Sequence, residues 1–111
     1  MVKKGKEFFI DKSKELIFEG EYLNGLKKGK GKEYEDNKLE FEGEYINDKR
    51  NGKGKKYIYI IKYYEDNYNS NIYSINEVEY INDEKSGKGK EYKKNGVLIN
   101  EFEYLNGIII K

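Results

Sequence analysis

FEGEYLNGLKKGKGKEY, from Phe18 to Tyr34, returns as FEGEYINDKRNGKGKKY from Phe41 to Tyr57. Glycines and aromatic residues hold their places at a spacing of 23 residues, while the residues between them vary. Self-similarity at a fixed period of this size marks a repeat architecture, in which one supersecondary unit stacks on the next. The anchors recur along the chain. GKGKEY or GKGKKY begins at Gly29, Gly52 and Gly87, with a shorter GKEF at Gly5. Glu-Tyr, an aliphatic residue and Asn begin at Glu21, Glu44, Glu79 and Glu103. Gly52 to Gly87 spans 35 residues, so one unit carries an insertion.

The type of element follows from the alternation. In LEFEGEYI, Leu39, Phe41, Gly43 and Tyr45 fall on one side of an extended chain, and Glu40, Glu42, Glu44 and Ile46 on the other. A period of two is the mark of a half-buried strand. The second anchor is also extended, with Lys32 and Tyr34 on one side, and it lengthens to KYIYIIKYY where the insertion begins. Asn24-Gly25 and Asn106-Gly107 are turn dipeptides, with Asn47-Asp48 and Asn82-Asp83 in equivalent places. EDNK, DKSK and KKNG mark the opposite ends. Such short connections force antiparallel neighbours. The expected fold is all-β: a single-layer antiparallel meander of roughly eight strands, built from stacked hairpin repeats, elongated and curved. Its units are a half unit over 4–17, then 18–40, 41–74 with the insertion near 63–73, 75–98, and a partial unit over 99–111.

Composition limits the chemistry. The chain has 111 residues, room for one small domain. Its 22 basic and 21 acidic residues leave a net charge of +1, against the basic surface that nucleic-acid binding needs. It contains no Cys, His, Trp, Pro, Ala, Thr or Gln, so disulfides, thiolate chemistry and imidazole ligands are excluded. Twelve Tyr argue against disorder. The N-terminus lacks the apolar stretch of a secretory signal, and no run approaches a membrane span, so the expected location is the cytosol.

FEGEYLNGLKKGKGKEY resembles a MORN repeat, whose units follow a Tyr-Glu-Gly-Glu-Trp, Asn-Gly, Gly-Lys-Gly, Tyr pattern. Phe18, Glu19, Gly20, Glu21 and Tyr22 match the first half, and Asn24, Gly25, Gly29, Lys30 and Gly31 the second. The unit from Phe41 matches equally, with Asp48 in place of the turn Gly. Tyr replaces Trp throughout, and Val78 and Phe102 stand at the Gly position of the later units. The extra residue before Tyr104 predicts a bulge or shifted register, and YYEDNYNSNIY predicts a hairpin extension or a loop. The resemblance implies scaffolding, homodimerisation and tethering near membranes or cytoskeleton rather than catalysis, with phospholipid binding a proposed activity.

Candidate sites follow. Catalytic residues and cofactors are expected to be absent, and no metal site is expected. Glu19, Glu21, Glu40, Glu42 and Glu44 read as partners of cross-strand lysines on a solvated face. Gly20 and Gly43 leave room for a ring to lie across the backbone. Gly29, Gly31, Gly52, Gly54, Gly87 and Gly89 answer a positive φ or a close approach. Tyr22, Tyr34, Phe41, Tyr45, Tyr57, Tyr80, Tyr92 and Tyr104 are expected to line one face, leaving a groove for a peptide or helix of a protein partner. Lys27, Lys28, Lys49, Arg50 and Lys53 are the alternative site, for an anionic membrane surface, weighed against simple edge protection. The chain begins and stops inside a unit, so Ile108, Ile109 and Ile110 are expected to form a dimerising edge.

Overall fold

The computed structural model describes residues 2–8 and 15–111; the turn expected at DKSK and Ser13 lie outside the described residues. The described residues form nine strands: β1 (Val2–Phe8), β2 (Leu16–Leu23), β3 (Leu26–Glu35), β4 (Lys38–Ile46), β5 (Lys49–Tyr64), β6 (Asn67–Ile81), β7 (Glu84–Lys93), β8 (Leu98–Leu105) and β9 (Ile108–Ile109). They lie in one antiparallel sheet in sequence order, an open meander. The strand beyond the expected eight is β9, a two-residue return after Asn106-Gly107. The plate measures 41 × 40 × 22 Å. It is as broad as it is long because β5 and β6 run far past their neighbours.

The turns are the ones the dipeptides demand. Asn47 and Asp48 have φ of 51° and 69°, and the other three Asn-led turns match. Two consecutive left-handed residues make the tight hairpin turn whose twist suits antiparallel strands. Asp48 does more than replace glycine. Its carboxylate accepts from the Lys27 N–H at 2.7 Å, and its own N–H donates to the Lys27 carbonyl at 3.1 Å. Asp83 repeats both bonds on Arg50, at 2.8 and 2.9 Å. Each turn is thus pinned to the hairpin before it.

Two irregularities recur with the repeat. Opposite Glu21 and Glu44 the facing strand carries extra residues, including Gly29 and Gly52 with φ of 97° and 111°. The other skips the residue before the Phe or its equivalent at Ile17, Glu40 and Ile99, and moves to Tyr73 in the unit with the insertion, where Ile75 stays paired with Tyr57. The extra residue before Tyr104 makes no bulge there: Tyr104 pairs with Gly87 in regular register, and the residue lies in the β7–β8 turn, where Lys94, Asn95 and Gly96 are enclosed by a bond from the Lys93 N–H to the Val97 carbonyl. The insertion is a hairpin extension turning at Glu65-Asp66, with Tyr63 paired to Tyr68.

Candidate functional site

The two faces of the sheet have different jobs. Phe18, Phe41, Tyr45, Val78, Tyr80 and Tyr104 form the buried core, with Tyr22 and Phe102 packed beside it. One layer buries rings only by laying them flat along its own backbone. A Cβ on Gly31 would lie 2.5 Å from the Phe18 ring, and one on Gly54 2.5 Å from the Phe41 ring. The rings meet edge to face down the sheet: Phe18 to Tyr45 at 5.3 Å and Phe41 to Tyr80 at 5.2 Å. Cations close the top. Lys27 Nζ sits 4.3 Å above Phe18, the Arg50 guanidinium 3.9 Å above Phe41, and Lys85 Nζ 5.2 Å above Tyr104.

This arrangement corrects the expected groove. Phe41, Tyr45, Tyr80 and Tyr104 are core, not an open surface, because their own glycines and cations enclose them. Tyr34 and Tyr57 are on the opposite face, where their hydroxyls donate to Glu19 and Glu42. Tyr34 follows Gly31 by three residues, and an odd offset on a strand crosses to the other side. Tyr92 stands at the same repeat position and borders Glu77 on that side. Tyr22 alone of the half-buried tyrosines shares the core face, edge-on to Phe18 at 5.7 Å.

The glycine expectations hold. Gly20, Gly31, Gly43, Gly54 and Gly89 are close-approach positions, and Gly29, Gly52 and Gly87 have positive φ. The Gly-to-Val78 and Gly-to-Phe102 changes are half of a swap whose other half, two residues earlier, the sequence reading missed. Asn76 and Asn100 replace the Phe of the first two, and Val78 and Phe102 replace the Gly two residues on. Val78 is buried against Gly89, so the apolar volume returns from a neighbouring position.

The open site lies on the other face, a trough of about 1440 Å³ floored by glycine backbone. Strands of lysine alternate with strands of glutamate across it. Lys6 faces Glu19, Glu19 faces Lys32, Lys32 faces Glu42, Glu42 faces Lys55, and Lys55 faces Glu77. Lys55 and Glu77 approach to 3.7 Å. The carboxylates thus have the cross-strand lysines expected of them. Glu21 also accepts from the Lys30 N–H at 2.8 Å across the bulge.

The basic cluster divides. Lys27 and Arg50 turn inward over the rings, and Arg50 makes two bonds to Glu33, at 2.8 and 3.0 Å. Only Lys28, Lys49 and Lys53 of the five stay exposed, so they do not form one patch as expected, and Lys53 belongs to the trough. Ile108, Ile109 and Ile110 are exposed beside a strand two residues long.

Glu33 ties the two halves of the core face together, accepting from Arg50 and from the Tyr45 hydroxyl. Burial alone would raise its carboxyl, but the Arg50 and Tyr45 bonds outweigh burial and hold it below its ordinary 4.5. A depressed folded-state pKa stabilises the fold above the unfolded value, and that stability is lost as pH falls through the folded one. Stability is expected to drop as pH goes below about 4.5. Glu33→Gln should flatten that acid limb in urea titrations run at a series of pH values; an unchanged slope would assign the loss to other carboxylates.

An open sheet of stacked hairpins with one packed face and one exposed charged face defines a β-repeat protein. The MORN repeat profile matches residues 18–37, 41–58 and 79–97, and the chain belongs to the MORN-repeat family. MORN repeats are in general modules for contacting proteins or membranes, and they are typically non-catalytic. Among curated proteins none matches the chain.

Proposed function

We propose that this chain is a non-catalytic interaction module whose charged trough takes an amphipathic helical segment of a partner protein. The observation that carries the reading is the step of the repeat. Each unit adds two strands, and strands lie about 4.8 Å apart, so like positions recur about every 9.6 Å across the sheet. Seven residues of α-helix rise about 10.5 Å. A helix laid across the strands therefore brings every seventh residue to the same environment in successive units. The trough supplies two such environments. Its centre is the lattice of Lys and Glu. Beyond it on the same face stand Leu23, Ile46 and Ile81, each two residues past a trough glutamate (Glu21, Glu44, Glu79), with Leu105 at the equivalent place of the last unit. Ile46, Ile81 and Leu105 are 45%, 57% and 59% exposed. A partner with apolar residues along one side and mixed charges beside them fits both.

The test is selection of binders from a displayed library of helical peptides. The expected winners carry apolar residues at a seven-residue spacing, and the Glu42→Lys/Lys55→Glu double variant weakens them at least tenfold, about 1.4 kcal/mol. Selection of extended peptides, or affinity indifferent to that reversal, would refute the reading.

A further inference from the structure

The extension of β5 and β6 is a two-stranded ribbon that leaves the sheet. The β6–β7 ladder stops at Ser74, paired with Lys93, so among the described residues the outer edge of Asn67–Tyr73 has no ladder partner. A two-stranded ribbon is marginal in water without further packing. An unpaired strand edge is also a template for another strand, which proteins ordinarily blunt with lysine or proline. The other exposed edge of the ribbon follows this rule, carrying Lys62 and ending at Glu65-Asp66. Asn67–Tyr73 does not. In a chain 39% charged, NYNSNIY has no charged residue, no proline and no glycine.

The stretch is also self-complementary. Laid antiparallel against a second copy about Ser70, it sets Tyr68 opposite Ile72, Asn69 opposite Asn71, and Ser70 opposite itself. Aromatic and β-branched residues are good cross-strand partners. On the same face, Tyr68 is paired with Tyr63, Ser70 with Ile61, and Ile72 with Tyr59. Tyr63, Tyr68 and Ile61 are 77%, 47% and 43% exposed. A pair of ribbons would form four strands with one continuous Tyr/Ile face and an Asn-rich face behind it.

We infer that the Asn67–Tyr73 edge of β6 is a self-association site, pairing antiparallel with the same edge of a second copy across a two-fold axis through Ser70. The contact is isologous and closes at two chains. It uses the insertion rather than the repeat, and leaves the trough of each copy free. Seven residues of edge also outreach β9, which offers two, and β1, which is as long, is blunted by Lys3, Lys4 and Lys6.

Light scattering on the full chain over micromolar to millimolar concentrations should show a dimer. Ser70→Lys, which sets like charges face to face, should yield a monomer with an unchanged far-UV spectrum and melting temperature. Because the chain has no cysteine, Ser70→Cys gives a second readout. Opposed residues of an antiparallel pair lie about 4.5–5.5 Å apart at Cα, within the span of a disulfide. Mild oxidation should convert this variant to a covalent dimer, while Asn95→Cys, in an exposed turn, should stay monomeric. A monomeric parent chain, a Ser70→Lys dimer, or a dimer lost only on removing residues 108–111 would each overturn the inference.

Discussion

Phe41→Ala is expected to cost about 3–5 kcal/mol, the upper range for truncating a fully buried aromatic residue. Phe41 is 0% exposed, although it belongs to a single-layer sheet. Its ring is covered below by Gly43 and Gly54, above by Arg50, and at its edges by Tyr45 and Tyr80. The cost of a cavity depends on how far its walls can collapse. Here two walls are glycine backbone, which has no side chain to move inward. Small domains hold about 5–15 kcal/mol in all, so this substitution removes a large share. Urea denaturation is the measurement, and a loss below about 1 kcal/mol would show that the sheet does not depend on its ring stack. Tyr45→Ala acts on the same stack. A loss of partner binding in that variant would therefore report unfolding rather than a lost contact.

Much of this was legible in the sequence, and the reason is local. Period-two alternation, Asn-Gly turns and a fixed spacing are each set by residues adjacent in the chain. They fix strand type, antiparallel order and the roles of the glycines. The insertion was legible only as a hairpin extension or a loop, because KYIYIIKYY reads as strand while the stretch after Glu65-Asp66 is mostly Asn, Ser and Tyr. What failed was the assignment of faces. Tyr34 and Tyr57 resemble Tyr22 and Tyr45 in composition, but they sit at odd offsets from the glycines that receive the rings. Counting from Gly31 to Tyr34 would have separated the two sets. The roof of cations was not legible, because Lys27 and Arg50 look like ordinary turn cations until the strand beside them supplies a ring. The trough was hidden for a related reason. Alternating Lys and Glu strands read as solubility until the sheet sets them side by side around a glycine floor.

Gly43→Ala is the second large effect, expected at about 1–3 kcal/mol, the usual penalty for overpacking. Gly43 is not in the left-handed region, so the alanine backbone itself is unstrained. The cost is space. A Cβ there would lie 2.7 Å from the Lys53 carbonyl oxygen, 2.8 Å from Phe41 Cζ and 2.9 Å from Gly54 Cα. Two of these contacts are backbone of β5, so relief requires the strands to separate or the ring to leave its seat. The third unit shows how a side chain can be accepted at this position. Val78 stands where Gly43 does, Asn76 stands where Phe41 does, and the β6–β7 ladder breaks at Val78. Phe41→Asn/Gly43→Val transplants that arrangement into the second unit. Removing the ring makes part of the room that the valine needs, so the double variant is expected to be more stable than the sum of its single costs predicts. Contacting residues couple by about 0.5–3 kcal/mol, and a favourable coupling of about 1 kcal/mol is expected here. Denaturation of the four proteins of this cycle measures it. Strictly additive losses would mean that ring and glycine are not one packing unit, and that the later units solved a different problem.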